Sequence, residues 1–122
     1  MPVAAVVFAV IAAVLHVLIF VMESVLWAEP RVWRRFSVAS QADADVLRPM
    51  AFNQGFYNLF LALGIFFGLI IGGSAGDAIV VFALLSIVGA AVVLALGGSK
   101  YFRAATMQGI TPLIALLLIV TL

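Results

Sequence analysis

The sequence predicts an all-α fold: a polytopic integral membrane protein whose four transmembrane helices form a bundle, in a single domain over residues 1–122. Three observations predict it. The chain is 67% hydrophobic and 9% charged with a mean hydropathy of +1.36, where soluble domains are nearer half apolar and a quarter charged. Four apolar runs each have the ~20 residues that cross a ~30 Å hydrocarbon core. All six Lys and Arg residues fall in two of the three segments between those runs, which is the bias that orients a membrane protein.

The same composition narrows the chemistry. A net charge of +1 argues against nucleic acid as a partner, since phosphate binding needs clustered cations. Without cysteine there is no disulfide, thiolate nucleophile or cysteine metal site, and the lone His16 cannot build a multi-histidine metal centre. No cofactor is indicated.

The first span covers residues 3–27. Its opening run lacks the basic region of a secretory signal and is too long for one, so it reads as a mature helix. At 25 residues it exceeds the minimum span and has room to tilt. It holds His16 and Glu23 and ends at Trp27, a residue suited to the membrane interface. Residues 28–48 are the only sizeable polar stretch and read as a cytoplasmic loop. Pro30 is expected to end the first helix. Trp33, Arg34, Arg35 and Phe36 suit the headgroup layer. Ser40 and Asp43 match a loose capping box that starts a short helix.

The second span is expected over residues 49–71, with Pro49 in its first turn or at a kink. Its first half carries Asn53, Gln54, Tyr57 and Asn58. At about 100° per residue these fall within roughly 140° of one face, and amides in hydrocarbon are costly unless partnered. That face should point into protein. Gly64 and Gly68 form a GxxxG spacing for close helix approach, and Gly72, Gly73, Ser74 and Gly76 form a turn. The third span, residues 77–96, has no charged or amide side chain after Asp77 and reads as a packing element. Gly97, Gly98 and Ser99 break it. The fourth span, residues 104–122, carries Gln108 and Pro112. The positive-inside rule puts both cation-bearing loops in the cytoplasm and both termini outside.

Depth brings the polar groups together. At ~1.5 Å per residue Glu23 lies about 6 Å inside Trp27, Asn53 about 8 Å beyond Arg48, and Gln108 about 8 Å beyond Arg103. His16 and Asn58 lie nearer the midplane. His16 and Glu23 are seven residues apart and share a helix face, with Phe20 between them. Pro112 has no N–H for the carbonyl of Gln108, which leaves a backbone acceptor beside that amide. These residues predict a ligand-binding pocket in the cytoplasmic half, lined by Glu23, Asn53, Gln54, Tyr57, Asn58 and Gln108. His16 sits at its inner end, and Lys100, Tyr101 and Arg103 form its rim.

The HVLIFVME run from His16 to Glu23, Trp27, the NQGFYNLFLA run from Asn53 to Ala62, and the Gln108–Gly109 pair resemble the family catalogued as domain of unknown function 1304. These are small bacterial and fungal membrane proteins. The resemblance covers nearly the whole chain, and the second run is its most specific part. It implies four helices and a membrane location, here the bacterial inner membrane, and no activity.

Each residue also has a plainer reading. An intramembrane carboxylate is a functional candidate by default, and Glu23 or His16 as acid or base would extend binding to turnover. Either residue can instead serve as a hydrogen-bonding strut between helices. Any one of the four polar residues after Arg48 can be interhelical glue; four together, with Glu23 at matching depth, favour a pocket. The Arg cluster signals topology first and anionic-lipid contact second.

Three functions follow. The first is binding, with conversion as an extension, of a lipid-like or amphiphilic small molecule whose tail lies between helices. The second is a small proton-coupled multidrug-type exporter; the near-interface position of Glu23, the strong charge bias and the polar second helix weigh against it. The third is a structural or regulatory membrane subunit. Membrane lipid is a partner in every case. A 122-residue bundle has little interior, which leaves room for homo-oligomerisation.

Overall fold

A computed structural model describes residues 1–122 and contains helices without strands. Helix α1 (Val3–Phe20) continues into a π-helical turn (Val21–Val25). Helix α2 (Pro30–Trp33) runs into a 3-10 turn (Arg34–Phe36), and α3 (Gln41–Ile71) and α4 (Gly73–Leu96) follow. A second 3-10 turn (Ser99–Tyr101) leads into α5 (Phe102–Thr121). Four segments, Val3–Val25, Gln41–Ile71, Gly73–Leu96 and Ser99–Thr121, are long and apolar enough to cross a membrane. The chain is a multi-pass membrane protein. It divides into two compact units, one of residues 16–60 and one of residues 1–15 with 61–122.

In the larger unit the buried positions are mostly small. Lipid tails are as apolar as leucine, so helices in a bilayer gain by close contact rather than by leaving water. Ala5, Ala9, Ala12 and Ala13 form the buried stripe of α1, and Ala83 and Ala91 serve α4. Ile65, Val80, Leu84, Ile87 and Pro112 are the large side chains fully buried here. Helices α3 and α4 meet almost backbone to backbone at Gly68 and Gly76. A Cβ on Gly68 would lie 2.6 Å from Val80 Cγ2, and one on Gly76 would run into the carbonyl of Gly68. Gly64 is less constrained, its nearest neighbour being Ala83 Cβ at 3.7 Å. The break between the helices is Gly72 alone, and it and Gly73, the first residue of α4, take φ of 66° and 62°, a region that costs residues with a Cβ. The α-amino group of Met1 lies 3.9 Å from Asp77 near the start of α4.

The smaller unit corrects several boundaries. The first helix ends at Val25, before Pro30, which instead opens α2. Proline fits there because the first helical N–H has no acceptor to reach. Helix α3 begins at Gln41, not near Pro49, so the second half of the expected loop is helical. Ser40 Oγ accepts the Asp43 N–H at 3.1 Å, the cap its spacing predicts, but the helix it starts has 31 residues and carries Pro49 inside it. At ~1.5 Å per residue that is about 46 Å, longer than a ~30 Å core. The polar stretch from Gln41 to Arg48 is the part that composition assigns to water.

The added helix changes the role of the tryptophans. Trp27 and Trp33 read from sequence as interfacial anchors. They are only 5% and 3% exposed and pack with Ala44, Ala51, Phe36 and Val38. The Trp27 indole Nε1–H donates to the Ala44 carbonyl at 2.8 Å, and the Trp33 indole donates to Gln41 Oε1 at 3.2 Å. A buried indole N–H needs such an acceptor, and α3 supplies both.

Candidate functional site

The site lies within residues 16–60, where the end of α1 runs against the first half of α3. As the chain advances from Phe20 at the end of α1 to Trp27 just past the π turn, its partners on α3 recede from Phe56 to Ala44, so the two segments are antiparallel. Phe20 meets Phe56 edge to face at 5.1 Å, and Phe56 also meets Phe52 and Phe60 along α3 at 5.0 and 6.3 Å.

Glu23 sits inside the π turn. The Leu26 N–H reaches the Val21 carbonyl five residues back at 2.9 Å, so one extra residue is fitted into the last turn of the first span. Such bulges are rare and are often found at functional positions. The Glu23 side chain is 6% exposed. Its Oε1 accepts from Asn58 Nδ2 at 2.7 Å, and the same amide donates to the Gln54 carbonyl at 3.0 Å. The chain's two ion pairs, Met1 with Asp77 and Arg31 with Glu29, leave Glu23 out. A buried carboxyl group is thus held by one neutral amide.

Beside it, Ser24 Oγ donates to the Phe52 carbonyl at 2.8 Å. Gly55 makes that approach feasible, since a Cβ at Gly55 would overlap Ser24 Oγ. Neither the π turn nor the Ser24 contact was read from sequence. The available signals were a serine next to the carboxylate and a glycine within the polar run of the second span.

Of the residues the sequence singles out, Glu23 and Asn58 come together, and His16 is fully buried in the same unit. Gln54 joins through its backbone only. The side chains of Asn53, Gln54 and Tyr57 are exposed on the chain, Tyr57 by 64%. Of that polar face only Asn58 is half-buried on the chain. Gln108, Lys100, Tyr101 and Arg103 belong to the other unit. There Lys100 and Arg103 are exposed, Gln108 and Tyr101 are half-buried, and the Lys100 ammonium stands 4.9 Å over the Tyr101 ring. In that unit Ser86, Thr106 and Thr121 each donate to the carbonyl four residues back, whereas the buried Thr111 hydroxyl, next to Pro112, makes no hydrogen bond. No three His, Asp or Glu side chains are grouped as metal ligands.

The family model described as a protein of unknown function (DUF1304) matches residues 10–120, a range that contains Glu23, Ser24, Gly55 and Asn58. No curated protein and no solved structure matches the chain.

Proposed function

Because this chain belongs to the DUF1304 family, whose description assigns no activity, we propose a function from its own residues: it binds a lipid-like or amphiphilic small molecule whose polar head meets Glu23 and Asn58. The observation that carries this reading is the 6%-exposed Glu23 carboxyl group with a single protein partner, the Asn58 amide. Burying such a group is expensive unless further donors or a cation complete its surroundings. A head that donates a hydrogen bond, an alcohol or an amine, supplies what the chain does not. The tail has the aromatic row of Phe20, Phe52, Phe56 and Phe60 beside it. Turnover of the bound molecule, with Glu23 or His16 as acid or base, is the extension of this reading.

The setting we propose is a bacterial inner membrane. The segments with Arg31, Arg34, Arg35, Arg48, Lys100 and Arg103 face the cytoplasm and the termini face outward, on the positive-inside rule.

The 2.7 Å Glu23–Asn58 contact also supports a second reading, in which the pair serves only to fix α1 to α3. Ligand-induced stabilisation separates the two. Purified protein is heated with a long-chain alcohol, an alkylamine and a methyl ester of equal chain length. Binding at Glu23 predicts that the alcohol and the amine raise the melting temperature and the ester does not, and that Glu23→Gln loses the amine effect. Equal shifts for all three ligands, or no shift, leave the strut as the function of the pair.

A further inference from the structure

A groove runs between α4 and α5 with a volume of about 380 Å³. Its walls include Val88, Val92 and Ala95 on α4 and Phe102, Thr106 and Leu113 on α5. They are almost wholly apolar; the Thr106 hydroxyl is spent on the Phe102 carbonyl at 2.8 Å. From Phe102 to Leu113 the helix rises ~16 Å, about half of a ~30 Å hydrocarbon core, so the groove is one leaflet deep.

Its Phe102 end is cationic. Arg103 lies three residues before Thr106 and seven before Ile110, another wall residue, so these three share a face of α5. Lys100 stands in the turn that leads into that helix. Neither cation has a carboxylate partner: the ion pairs are Met1 with Asp77 and Arg31 with Glu29. Asp77, the only acidic residue after Asp45, lies near the opposite end of α4.

We propose that this groove holds one acyl chain of an anionic phospholipid, whose phosphate pairs with Arg103 and Lys100. Charge selects the occupant. A neutral apolar surface, such as the α4–α5 face of a second copy, would bury the groove without answering the two cations, and would bring two more against them. The depth fits as well, because a phospholipid presents its charge at the interface and its chain to one leaflet. Under the positive-inside orientation that leaflet is the cytoplasmic one, where anionic lipid concentrates. The inference does not depend on what binds at Glu23.

The test is native mass spectrometry of the full chain in neutral detergent, with phosphatidylglycerol or phosphatidylcholine of identical acyl chains. The wild type should retain phosphatidylglycerol roughly tenfold better, given the attraction that each surface cation adds. The double variant Lys100→Gln/Arg103→Gln should bring it down to the phosphatidylcholine level. Thr106→Phe fills the groove from an exposed position and should lower retention of both lipids, with Ala95→Phe doing so from the facing wall. Equal retention of the two lipids by the wild type overturns the proposal. So does unchanged phosphatidylglycerol retention in both filled variants, or a dimer of the wild type that the filled variants dissociate.

Discussion

Asn58 on α3 donates its side-chain amide to Glu23 at 2.7 Å, at the turn where the first span takes in an extra residue. The amide divides its two N–H groups between that carboxyl group and the Gln54 carbonyl. One residue therefore fixes the orientation of the only acidic side chain of α1 and its π turn.

Removing the donor should cost more than changing the acceptor. Asn58→Ala strips a buried carboxyl group of its partner and should destabilise by about 2–4 kcal/mol. Glu23→Gln keeps an acceptor oxygen for the same amide and should cost about 1 kcal/mol or less. Unfolding in mixed micelles with increasing SDS gives both values, and equal losses would show that the bond does not organise the pair.

Gly55 and Ser24 should behave as a coupled pair. Gly55→Ala places a methyl group on the Ser24 hydroxyl and should cost about 1–3 kcal/mol by overpacking. Ser24→Ala alone loses a hydrogen bond and should cost about 1 kcal/mol. The double variant should be more stable than the sum of the two losses, because removing the hydroxyl makes room for the methyl. Strict additivity in the same assay would contradict this contact.

The two glycines of the GxxxG spacing should differ. Gly68→Ala meets Val80 and the Gly76 carbonyl at 2.6 and 2.7 Å and should destabilise the α3–α4 hairpin by about 1–3 kcal/mol. Gly64→Ala reaches only Ala83 Cβ at 3.7 Å, an ordinary contact, and should be close to neutral. Equal effects would place the close approach at the wrong glycine.

Trp27 and Trp33 should fluoresce as buried indoles. Both are nearly closed to the surface, so acrylamide in water and brominated lipid in the bilayer should each quench them weakly. Interfacial anchors would be quenched strongly by lipids brominated near the headgroup. Trp27→Phe also loses the bond to the Ala44 carbonyl and should cost about 1–2 kcal/mol.

The number of spanning helices and the membrane location were legible in the sequence because they rest on composition summed over whole segments. Boundaries were less legible where polar and apolar signals overlap. The residues from Gln41 to Arg48 read as loop by their charge, yet Ser40 caps them and alanines at 42, 44 and 51 let them continue as helix. The sequence groups the polar residues on one face, and on the chain only Asn58 of them is half-buried. Asn53 and Asn58 stand at opposite edges of its roughly 140° arc. The buried positions of α3 in this unit, Ala44, Ala51 and Gly55, recur at i, i+7 and i+11, and Asn58 at i+14 is the polar residue closest to that stripe. Periodicity shows which residues share a face; the small residues show which edge of it meets α1. The π turn left no trace in Val-Met-Glu-Ser-Val, since an inserted residue is a matter of local hydrogen bonding.

The most direct test is mass spectrometry of the small molecules that co-purify with the wild type and with Glu23→Gln. The account predicts a defined amphiphile, with an alcohol or amine head, on the wild type and its loss from the variant. If both proteins come empty, or carry the same bulk lipid, Glu23 binds nothing and the Glu23–Asn58 pair is a strut between two helices.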